Sequence, residues 1–260
     1  MNRLFQPYLR KYIVVFFDDI LIYSQTISDH LIHLETTFQV LMKDKFTLKL
    51  PKCSFAQQQI EYLGHIVSGK GVQPVPDKVQ AVQQWPPLRT AHSLRGFLGL
   101  TGFYHRFIKG YAAMEAPLFN LLTKDGFAWS PKAAAAFQAL KNVVTNTPML
   151  ALPDFTKPFT METDASGSGM GAVLSQEGHP IAFFSKQFCL KLTRSSTYVR
   201  ELVAIMNAVK KWRQYLLGHH FVILTNHRSL KELMTQAVQT PKQHRYLSRL
   251  LGFDYSIQYQ

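Results

Sequence analysis

The stretch IVVFFDDILIYS, residues 13–24, decides the fold of the first part of the chain. Two apolar runs flank the adjacent carboxylates Asp18 and Asp19, and each run has the length and the β-branched and aromatic content of a short buried strand. We therefore predict a β-hairpin over residues 11–23 with both aspartates at its turn. Carboxylates placed among apolar residues shift their pKa, gain a partner or bind a metal ion. A divalent-metal site and a solvated turn are both open interpretations, because Asp is also a common turn residue.

The whole chain has the composition of a globular protein, with 260 residues of which 47% are apolar and 17% charged. It contains neither an apolar run long enough to cross a membrane nor a signal-peptide core near its first residue. We therefore expect no membrane partner and an intracellular protein, cytoplasmic or nuclear, that is not secreted. Cys53 and Cys189 form no CxxC pair, which is typical of a reducing compartment.

The formal net charge is +13 and the pI is about 9.7. Residues 1–150 contain 16 Lys and Arg against 9 Asp and Glu, and residues 151–260 contain 13 against 7. Both halves are basic, as a long polyanion that contacts both of them would require. Nucleic acid is the partner that this distribution favours, and a generally basic protein is the other interpretation.

Periodicity predicts strands at both ends of the chain and helices between them. A helix capped by Ser28 or Asp29 runs to about residue 43, and a strand-like region follows from 46 to about 72. Residues 76–147 are predicted to be mainly helical, including one long helix over SLRGFLGLTGFYHRFIKG. From residue 149 the predicted order is strand, strand, strand, helix, strand, helix, with the last helix in HRYLSRLLGF.

These motifs resemble, in order and spacing, the Pol polyproteins of gypsy-type long-terminal-repeat retrotransposons. VVFFDDILIYS resembles the Tyr/Phe-x-Asp-Asp hairpin of reverse transcriptases, EYLGHIVSGKGV their primer grip and LRGFLGLTGFYHRFI their thumb. PMLALPDFTKPF resembles the start of their ribonuclease H domain. Four further segments resemble the core of that domain: TDASGSGMGAVLSQ, YVRELVAI, YLLG and ILTNHRSL. The resemblance covers essentially the whole chain.

The resemblance implies an α+β fold in three parts. Residues 1–75 would be the C-terminal part of a truncated palm with its primer grip, 76–148 a helical thumb or connection, and 149–260 a C-terminally truncated, ribonuclease H-like mixed-sheet domain. The implied function is that of a reverse transcriptase, an RNA-directed DNA polymerase and nucleotidyltransferase with ribonuclease H endonuclease activity. The implied partners are an RNA–DNA hybrid or a DNA duplex and other Pol segments, and the implied cofactors are Mg²⁺ or Mn²⁺, two per site.

The resemblance also implies roles for individual residues. The metal-binding catalytic carboxylates would be Asp18 and Asp19 in the polymerase, and Asp164 and Glu201 in ribonuclease H. The primer end would be positioned by Tyr62, Leu63, Gly64 and His65. The thumb contacts to nucleic acid would come from Arg95, Gly96, Gly99, Gly102 and Arg106. The three glycines give one helix face almost no side chains, which suits either a nucleic-acid groove or close packing on another helix.

The chain also departs from the family pattern. Asn226 stands where the ribonuclease H pattern has an aspartate, and an amide lacks the charge that hard cations favour. His105 stands where the family usually shows Arg. The third polymerase aspartate and the last ribonuclease H aspartate have no counterpart, so we expect an incomplete, catalytically impaired fragment. The alternative function is a non-catalytic nucleic-acid-binding remnant or a domesticated interaction module.

Overall fold

The structure, a computed structural model, describes residues 1–123, 127–227 and 248–259. Contacts divide the chain into two units, Met1–Gly69 and Lys70–Gln260. Residues 244–247 of the predicted helix in HRYLSRLLGF lie outside the described residues, and the prediction was wrong for residues 248–253, of which 248–252 form turns and none is helical. Among the helices of the described ranges, none is long and apolar enough to cross a membrane.

The first unit is built on the hairpin predicted from its hydrophobic runs. Strands β1 (Ile13–Phe16) and β2 (Asp19–Ile22) pair antiparallel, with Phe16 opposite Asp19. The turn therefore consists of Phe17 and Asp18, and Asp19 is the first residue of β2. Placing both aspartates at the turn was wrong for Asp19, because the tight loop has room for only two residues.

Helix α1 (Ile27–Lys43) packs beside this hairpin, and the buried residues Phe5, Ile13 and Leu41 form the core of the unit. The N-cap is Thr26, whose hydroxyl accepts a hydrogen bond from the backbone N–H of Asp29 at 3.1 Å. The predicted cap at Ser28 or Asp29 was therefore wrong by two or three residues. The same Thr26 hydroxyl donates to the Asp29 carboxylate at 2.7 Å, so the two side chains close the first turn together.

The region from 46 to 72 is less extended than predicted. A short 3₁₀ turn spans Leu50–Lys52, and within the unit the extended structure is a second antiparallel hairpin of β3 (Gln59–Tyr62) and β4 (His65–Ser68). Its two-residue turn, Leu63–Gly64, joins the parts of the predicted primer grip.

The second unit begins with strand β5 (Gly71–Pro74) and the predicted helices. The helices are α2 (Pro76–Gln83), α3 (Ala91–Phe103), α4 (Tyr111–Thr123) and α5 (Pro131–Thr145). The single long helix predicted over residues 93–110 was wrong, since α3 ends at Phe103 and a 3₁₀ turn follows over His105–Phe107. Tyr104 and Phe107 turn into the helical core, where both are almost fully buried. That burial favours a break over continued helix.

A five-stranded mixed sheet forms the rest of the unit, in the order β10-β9-β6-β7-β8. Its strands are β6 (Phe159–Ala165), β7 (Gly169–Gln176), β8 (His179–Gln187), β9 (Phe221–Thr225) and β10 (Tyr255–Tyr259). Three further helices are α6 (Leu190–Thr193), α7 (Thr197–Lys211) and α8 (Arg213–Leu216). β6 pairs antiparallel with β7 and parallel with β9, and β9 pairs parallel with β10.

The apolar stripe of α7 covers the sheet. Leu202, Ile205 and Val209 of the helix pack with Met161 of β6 and Ile223 of β9 in one buried cluster. This packing is what the helical spacing of apolar residues in YVRELVAIMNAVKKW predicts. Because α7 packs on β6, the second turn of the helix lies next to the C-terminal end of that strand.

The helical segment and the sheet are joined within this unit. Val72 and Leu150 exchange two backbone hydrogen bonds, 2.8 and 2.9 Å long. At the start of α4, the N–H of Ala112 donates to the Ser185 hydroxyl at 2.8 Å, and the Gln187 amide donates to the carbonyl of Ala112 at 2.9 Å. The observed fold is α+β, as the sequence predicts, with a hairpin unit followed by a helical segment and a five-stranded mixed sheet. The three-part division at residues 75 and 148 stays a prediction.

Candidate nucleic-acid and metal sites

The aspartate hairpin presents its polar groups to solvent. Asp18 and Asp19 are both exposed, and Phe16 and Phe17 beside them are 50% and 79% exposed. Phe17 has a φ of 50°, the left-handed conformation that a two-residue hairpin turn requires. An open cavity of about 440 Å³ lies against the turn and is lined by Met1, Asn2, Val15, Phe16, Phe17 and Asp18. Exposed aromatic side chains beside two carboxylates can stack on bases while the carboxylates hold cations.

The predicted primer grip lies against this hairpin. The Tyr62 hydroxyl donates to the backbone carbonyl of Asp19 at 3.4 Å, although 43 residues separate them in sequence. Burial, followed by the charge of Asp19, raises the pKa of the Tyr62 phenol, so the hydroxyl keeps its proton and remains a donor. The structure thus brings the predicted polymerase aspartates and Tyr62 together. Leu63 and Gly64 form the adjoining turn, and His65 contacts the carbonyl of Leu63 at 2.9 Å.

The glycine face of α3 is open at Gly96 and Gly99, whereas a Cβ on Gly102 would meet the Tyr111 hydroxyl at 3.6 Å. A Cβ on Gly99 would meet nothing within 4 Å, and one on Gly96 would meet only the Trp85 ring, at 3.4 Å. Another helix backbone does not approach these two positions, so the face is accessible to a ligand. Arg95 is exposed on the same helix.

Arg106 is placed differently from Arg95. It is half-buried and donates to the carbonyl of Ile181 in β8 at 3.4 Å. Its guanidinium carbon also lies 5.8 Å from the centre of the Phe107 ring. Arg106 therefore connects the helical segment to the sheet, and it does not form an exposed basic surface together with Arg95. His105 contacts the carbonyl of Gly102 at the end of α3.

The residues of the predicted ribonuclease H site lie where β6 and β9 end side by side. The last registered pair of these parallel strands is Thr163 and Thr225, and Asp164 and Asn226 each follow by one residue. Both Asp164 and Asn226 are exposed. The parallel register therefore places Asp164 and Asn226 at the same level on neighbouring strands.

Glu201 reaches this edge from α7. It is only 5% exposed, and its Oε1 accepts a hydrogen bond from the backbone N–H of Ala165 at 3.2 Å. Its Oε2 is buried and has no hydrogen-bond partner among the described residues. Burial raises the pKa of Glu201 to about 7, and the nearby charge of Asp164 adds to the rise, while the Ala165 N–H and Arg200 act against it. A buried carboxyl with one free oxygen beside a second carboxylate would gain strongly from a cation.

Sequence reasoning missed two neighbours of this site. Arg200 precedes Glu201 in the motif and lies half-buried on the same turn of α7. His227 follows Asn226, its ring centre lies 5.9 Å from that of Tyr198, and its buried Nδ1 has no partner among the described residues. The signal for both was adjacency, since each is a polar residue next to a predicted site residue.

The donor set is small. Across residues 1–123, 127–227 and 248–259, no group of three or more His, Cys, Asp and Glu side chains could hold a metal ion. Asp164 and Glu201 bring two carboxylates together, and Asn226 can add a carbonyl oxygen at the same strand edge. This set suits one hard divalent cation better than two, because two ions would concentrate four positive charges on two carboxylates.

Two family models match the chain. "Reverse transcriptase (RNA-dependent DNA polymerase)" matches residues 1–67, which include Asp18, Asp19 and the four residues of the predicted primer grip. "RNase H-like domain found in reverse transcriptase" matches residues 129–223, which include Asp164 and Glu201 and end three residues before Asn226.

Similar proteins point the same way. The chain is 38% identical over its full length to 25% of the Retrovirus-related Pol polyprotein from transposon 297 of Drosophila melanogaster. It is 35% identical, over 88% of its length, to 24% of the Retrovirus-related Pol polyprotein from transposon gypsy of the same organism. It is 31% identical over its full length to 20% of the Transposon Tf2-3 polyprotein of Schizosaccharomyces pombe. The chain thus spans a quarter or less of each of these relatives.

Solved structures share the fold. The foamy viral protease-reverse transcriptase in complex with an RNA/DNA hybrid matches all of this chain and 36% of its own, with a TM-score of 0.86 and 21% identity. The dRH form in complex with double-stranded DNA matches all of this chain and 47% of its own, with the same TM-score and identity. The chain belongs to the reverse transcriptase and RNase H-like regions of gypsy-type retrotransposon Pol polyproteins.

Proposed function

We propose that this chain binds an RNA–DNA hybrid or a DNA duplex as part of an RNA-directed DNA polymerase with ribonuclease H. The support comes from the relatives, from the basic charge of both halves and from two separate carboxylate sites in matched regions. The foamy viral relatives of the same fold were solved with these two kinds of nucleic acid. Other segments of a Pol polyprotein are the proposed protein partners.

In the polymerase part, Asp18 and Asp19 would hold a divalent cation beside the primer end. The hydrogen bond from Tyr62 to Asp19 fixes the distance between the aspartate hairpin and the turn at Leu63–Gly64. That turn would contact the primer strand, with Leu63 38% exposed at its tip. On α3, Arg95 and the open face at Gly96 and Gly99 would follow the backbone of the duplex.

The observation that carries the ribonuclease H proposal is the meeting of Asp164, Glu201 and Asn226 at one strand edge. Asp164 and Glu201 would hold Mg²⁺ or Mn²⁺, with Asn226 as a weak neutral ligand. When bound, such an ion supplies positive charge to the phosphate that is attacked. The N–H of Ala165 orients the Glu201 carboxylate before any ligand arrives.

Asn226 favours a second candidate function, a nucleic-acid-binding region with little or no hydrolysis. An aspartate at this position would add a full negative charge next to the bound cation. At an effective dielectric near 20 and a separation of about 4 Å, one such charge pair is worth up to about 4 kcal/mol before solvent competes. A loss of only about 3 kcal/mol would slow cleavage by about a hundredfold.

Hybrid binding and hybrid cleavage, measured on the same preparation, separate these functions. We expect binding of a fluorescent hybrid to weaken at least tenfold between roughly 50 and 200 mM salt, as release of counterions from two or more phosphates requires. We expect negligible cleavage with Mg²⁺ or Mn²⁺. Cleavage by the wild type that Glu201→Gln abolishes would show a working site and rule out the binding-only function. Absence of salt-dependent binding would favour a protein-interaction module.

A further inference from the structure

Arg200 is a half-buried cation with spare hydrogen-bonding capacity. Its Nη2 donates to the hydroxyl of Thr197 at 3.1 Å, within the first turns of α7. Its Nε is buried and has no partner among the described residues. Within the described ranges, no carboxylate lies within 4.0 Å of it, although Glu201 is the next residue. A partly desolvated guanidinium with free donors favours an anion.

The loop between β6 and β7 lies in front of this guanidinium. A Cβ on Gly167 would lie 3.7 Å from Nη1 of Arg200, so the guanidinium faces the backbone of the loop. The Ser166 hydroxyl holds the loop by accepting the N–H groups of Ser168 and Gly169 at 3.2 and 3.0 Å. Ser166, Gly167 and Ser168 are all exposed, so a ligand can reach Nη1 along the loop.

The loop also places this cation beside the carboxylate pair. Asp164 lies two residues before Ser166. The N–H of Ala165, the residue between them, donates a hydrogen bond to Glu201. Two carboxylates at the edge of the sheet would repel a phosphate, so a nucleic-acid strand needs a cation close by to approach them. Arg200 precedes Glu201 on α7 and faces Gly167, three residues after Asp164.

We propose that Arg200 and the exposed backbone at Gly167 bind one phosphate of the nucleic-acid strand that passes Asp164 and Glu201. Arg200 is then a positioning residue for the ribonuclease H-like site, and the inference rests on the proposed function, binding of a hybrid. The Nη1 group faces the loop and can donate to the phosphate, while the hydrogen bond from Nη2 to Thr197 holds the guanidinium in place. Gly167 keeps a side chain out of the approach.

Hybrid binding by single variants of the full chain tests this contact. The probe is a fluorescent RNA–DNA hybrid in EDTA, titrated at several salt concentrations against the wild type, Arg200→Gln, Arg200→Lys and Lys210→Gln. Lys210 is exposed farther along α7, so its variant makes the same change of charge on the same helix. We expect Arg200→Gln to weaken binding about tenfold and to lower the salt slope by about one, as the loss of one phosphate contact requires.

The other variants distinguish a phosphate contact from a structural role. Arg200→Lys should keep the salt slope and lose part of the affinity, because lysine keeps the charge but lacks the planar guanidinium. A purely structural arginine would change thermal stability without changing the salt slope. If Arg200→Gln and Lys210→Gln bind with equal affinity and slope while the wild type binds well, this inference is overturned and hybrid binding stands. If the wild type does not bind, both are overturned.

Replacing one charged phosphate of the hybrid by a neutral methylphosphonate shows which phosphate Arg200 contacts. In a series of hybrids, one methylphosphonate is moved along the DNA strand and then, in a second series, along the RNA strand. We expect one position at which the wild type loses affinity about tenfold and Arg200→Gln loses none, because the removed charge and the removed cation belong to one contact. Parallel losses at every position would overturn the inference.

Discussion

Glu201 accepts a hydrogen bond from the backbone N–H of Ala165 at 3.2 Å, across 36 residues of sequence. This one contact fixes a helix carboxylate against the residue that follows Asp164. It also leaves Oε2 of Glu201 buried and unpartnered among the described residues. The backbone therefore holds the Glu201 carboxyl in place, and ionisation of this buried group costs free energy when no cation is bound.

The first prediction concerns stability against pH in EDTA. The pKa of Glu201 is raised to about 7 in the folded chain from an ordinary value near 4.5. Between these two values the folded state binds a proton that the unfolded state has lost, so stability is greatest below the lower value and falls as pH rises toward 7. The loss should reach about 2–3 kcal/mol by pH 8.

Glu201→Gln should remove this dependence. We expect the variant to be more stable than the wild type at pH 8 and similar to it at pH 5, measured by urea unfolding of the second unit in EDTA. Glu162→Gln, the same substitution at a half-buried position on the neighbouring strand β6, is the matched control. A wild type whose stability is flat from pH 5 to 8 would contradict the burial of an uncompensated carboxyl here.

The second prediction concerns Asn226. Asn226→Asp should tighten binding of Mg²⁺ or Mn²⁺ by about tenfold or more, since the new charge would lie beside the cation held by Asp164 and Glu201. Calorimetry on the two proteins measures the difference. Asn142→Asp adds the same charge on the exposed side of α5 and should change nothing. Equal metal affinity in Asn226→Asp and the wild type would show that Asn226 lies outside the metal site.

Much of this site follows from sequence because its parts obey simple periodicities. Alternation in FTMETDA sets β6, and helical spacing in YVRELVAIMNAV sets α7, so the levels of Asp164 and Glu201 follow from two local patterns. The partner strand β9 and its parallel register are long-range facts. The pattern FVILT predicts a strand and says nothing of its neighbour.

Other features could not be predicted for the same reason. The strand β10 was missed in FDYSIQYQ, although Tyr255, Ile257 and Tyr259 alternate, because its stability comes from parallel pairing with β9. The end of α3 at Phe103 comes from tertiary burial of Tyr104, which overrides continuous helical spacing. In sequence, Arg106 cannot be told from an exposed arginine of the predicted thumb, and its contact with β8 comes from tertiary packing.

The third prediction concerns the turn between β3 and β4, which holds the proposed primer grip. Leu63 and Gly64 have φ of 50° and 73°, the pair of left-handed residues of a type I′ turn. Asn adopts this conformation more readily than Leu, so Leu63→Asn should stabilise the first unit by about 0.5–1 kcal/mol. Gly64→Ala should destabilise it by about 1 kcal/mol. Urea unfolding of the wild type and both variants measures the two effects, and a stabilising Gly64→Ala would contradict the turn type.

The same change separates stability from function. Leu63 is exposed at the tip of the turn, where the primer strand is proposed to pass. Leu63→Asn should therefore weaken hybrid binding while it stabilises the fold. Leu50, 69% exposed on the 3₁₀ turn of the same unit, gives the control variant Leu50→Asn. If both variants bind the hybrid as the wild type does, the tip of the turn makes no contact with nucleic acid.

The last prediction concerns the joint between the helical segment and the sheet. The first turn of α4 would leave the N–H of Ala112 without a helical partner, and the Ser185 hydroxyl accepts it at 2.8 Å. Gln187, two residues along the same strand, donates to the carbonyl of the same Ala112. Alternation in β8 places both side chains on one face, with Lys186 pointing away between them and exposed.

Ser185→Ala and Gln187→Ala should each cost about 1 kcal/mol of local stability, and the amide of Ala112 should exchange with solvent about fivefold faster in Ser185→Ala. Lys186→Ala is the control and should leave this amide unchanged. Because α4 and β8 belong to one unit, loss of both side chains should loosen the helical segment without unfolding the sheet. Hydrogen exchange would then rise in α4 while the core amides of β6 and β7 keep their protection, and equal protection of Ala112 in all variants would mean that other contacts hold the joint.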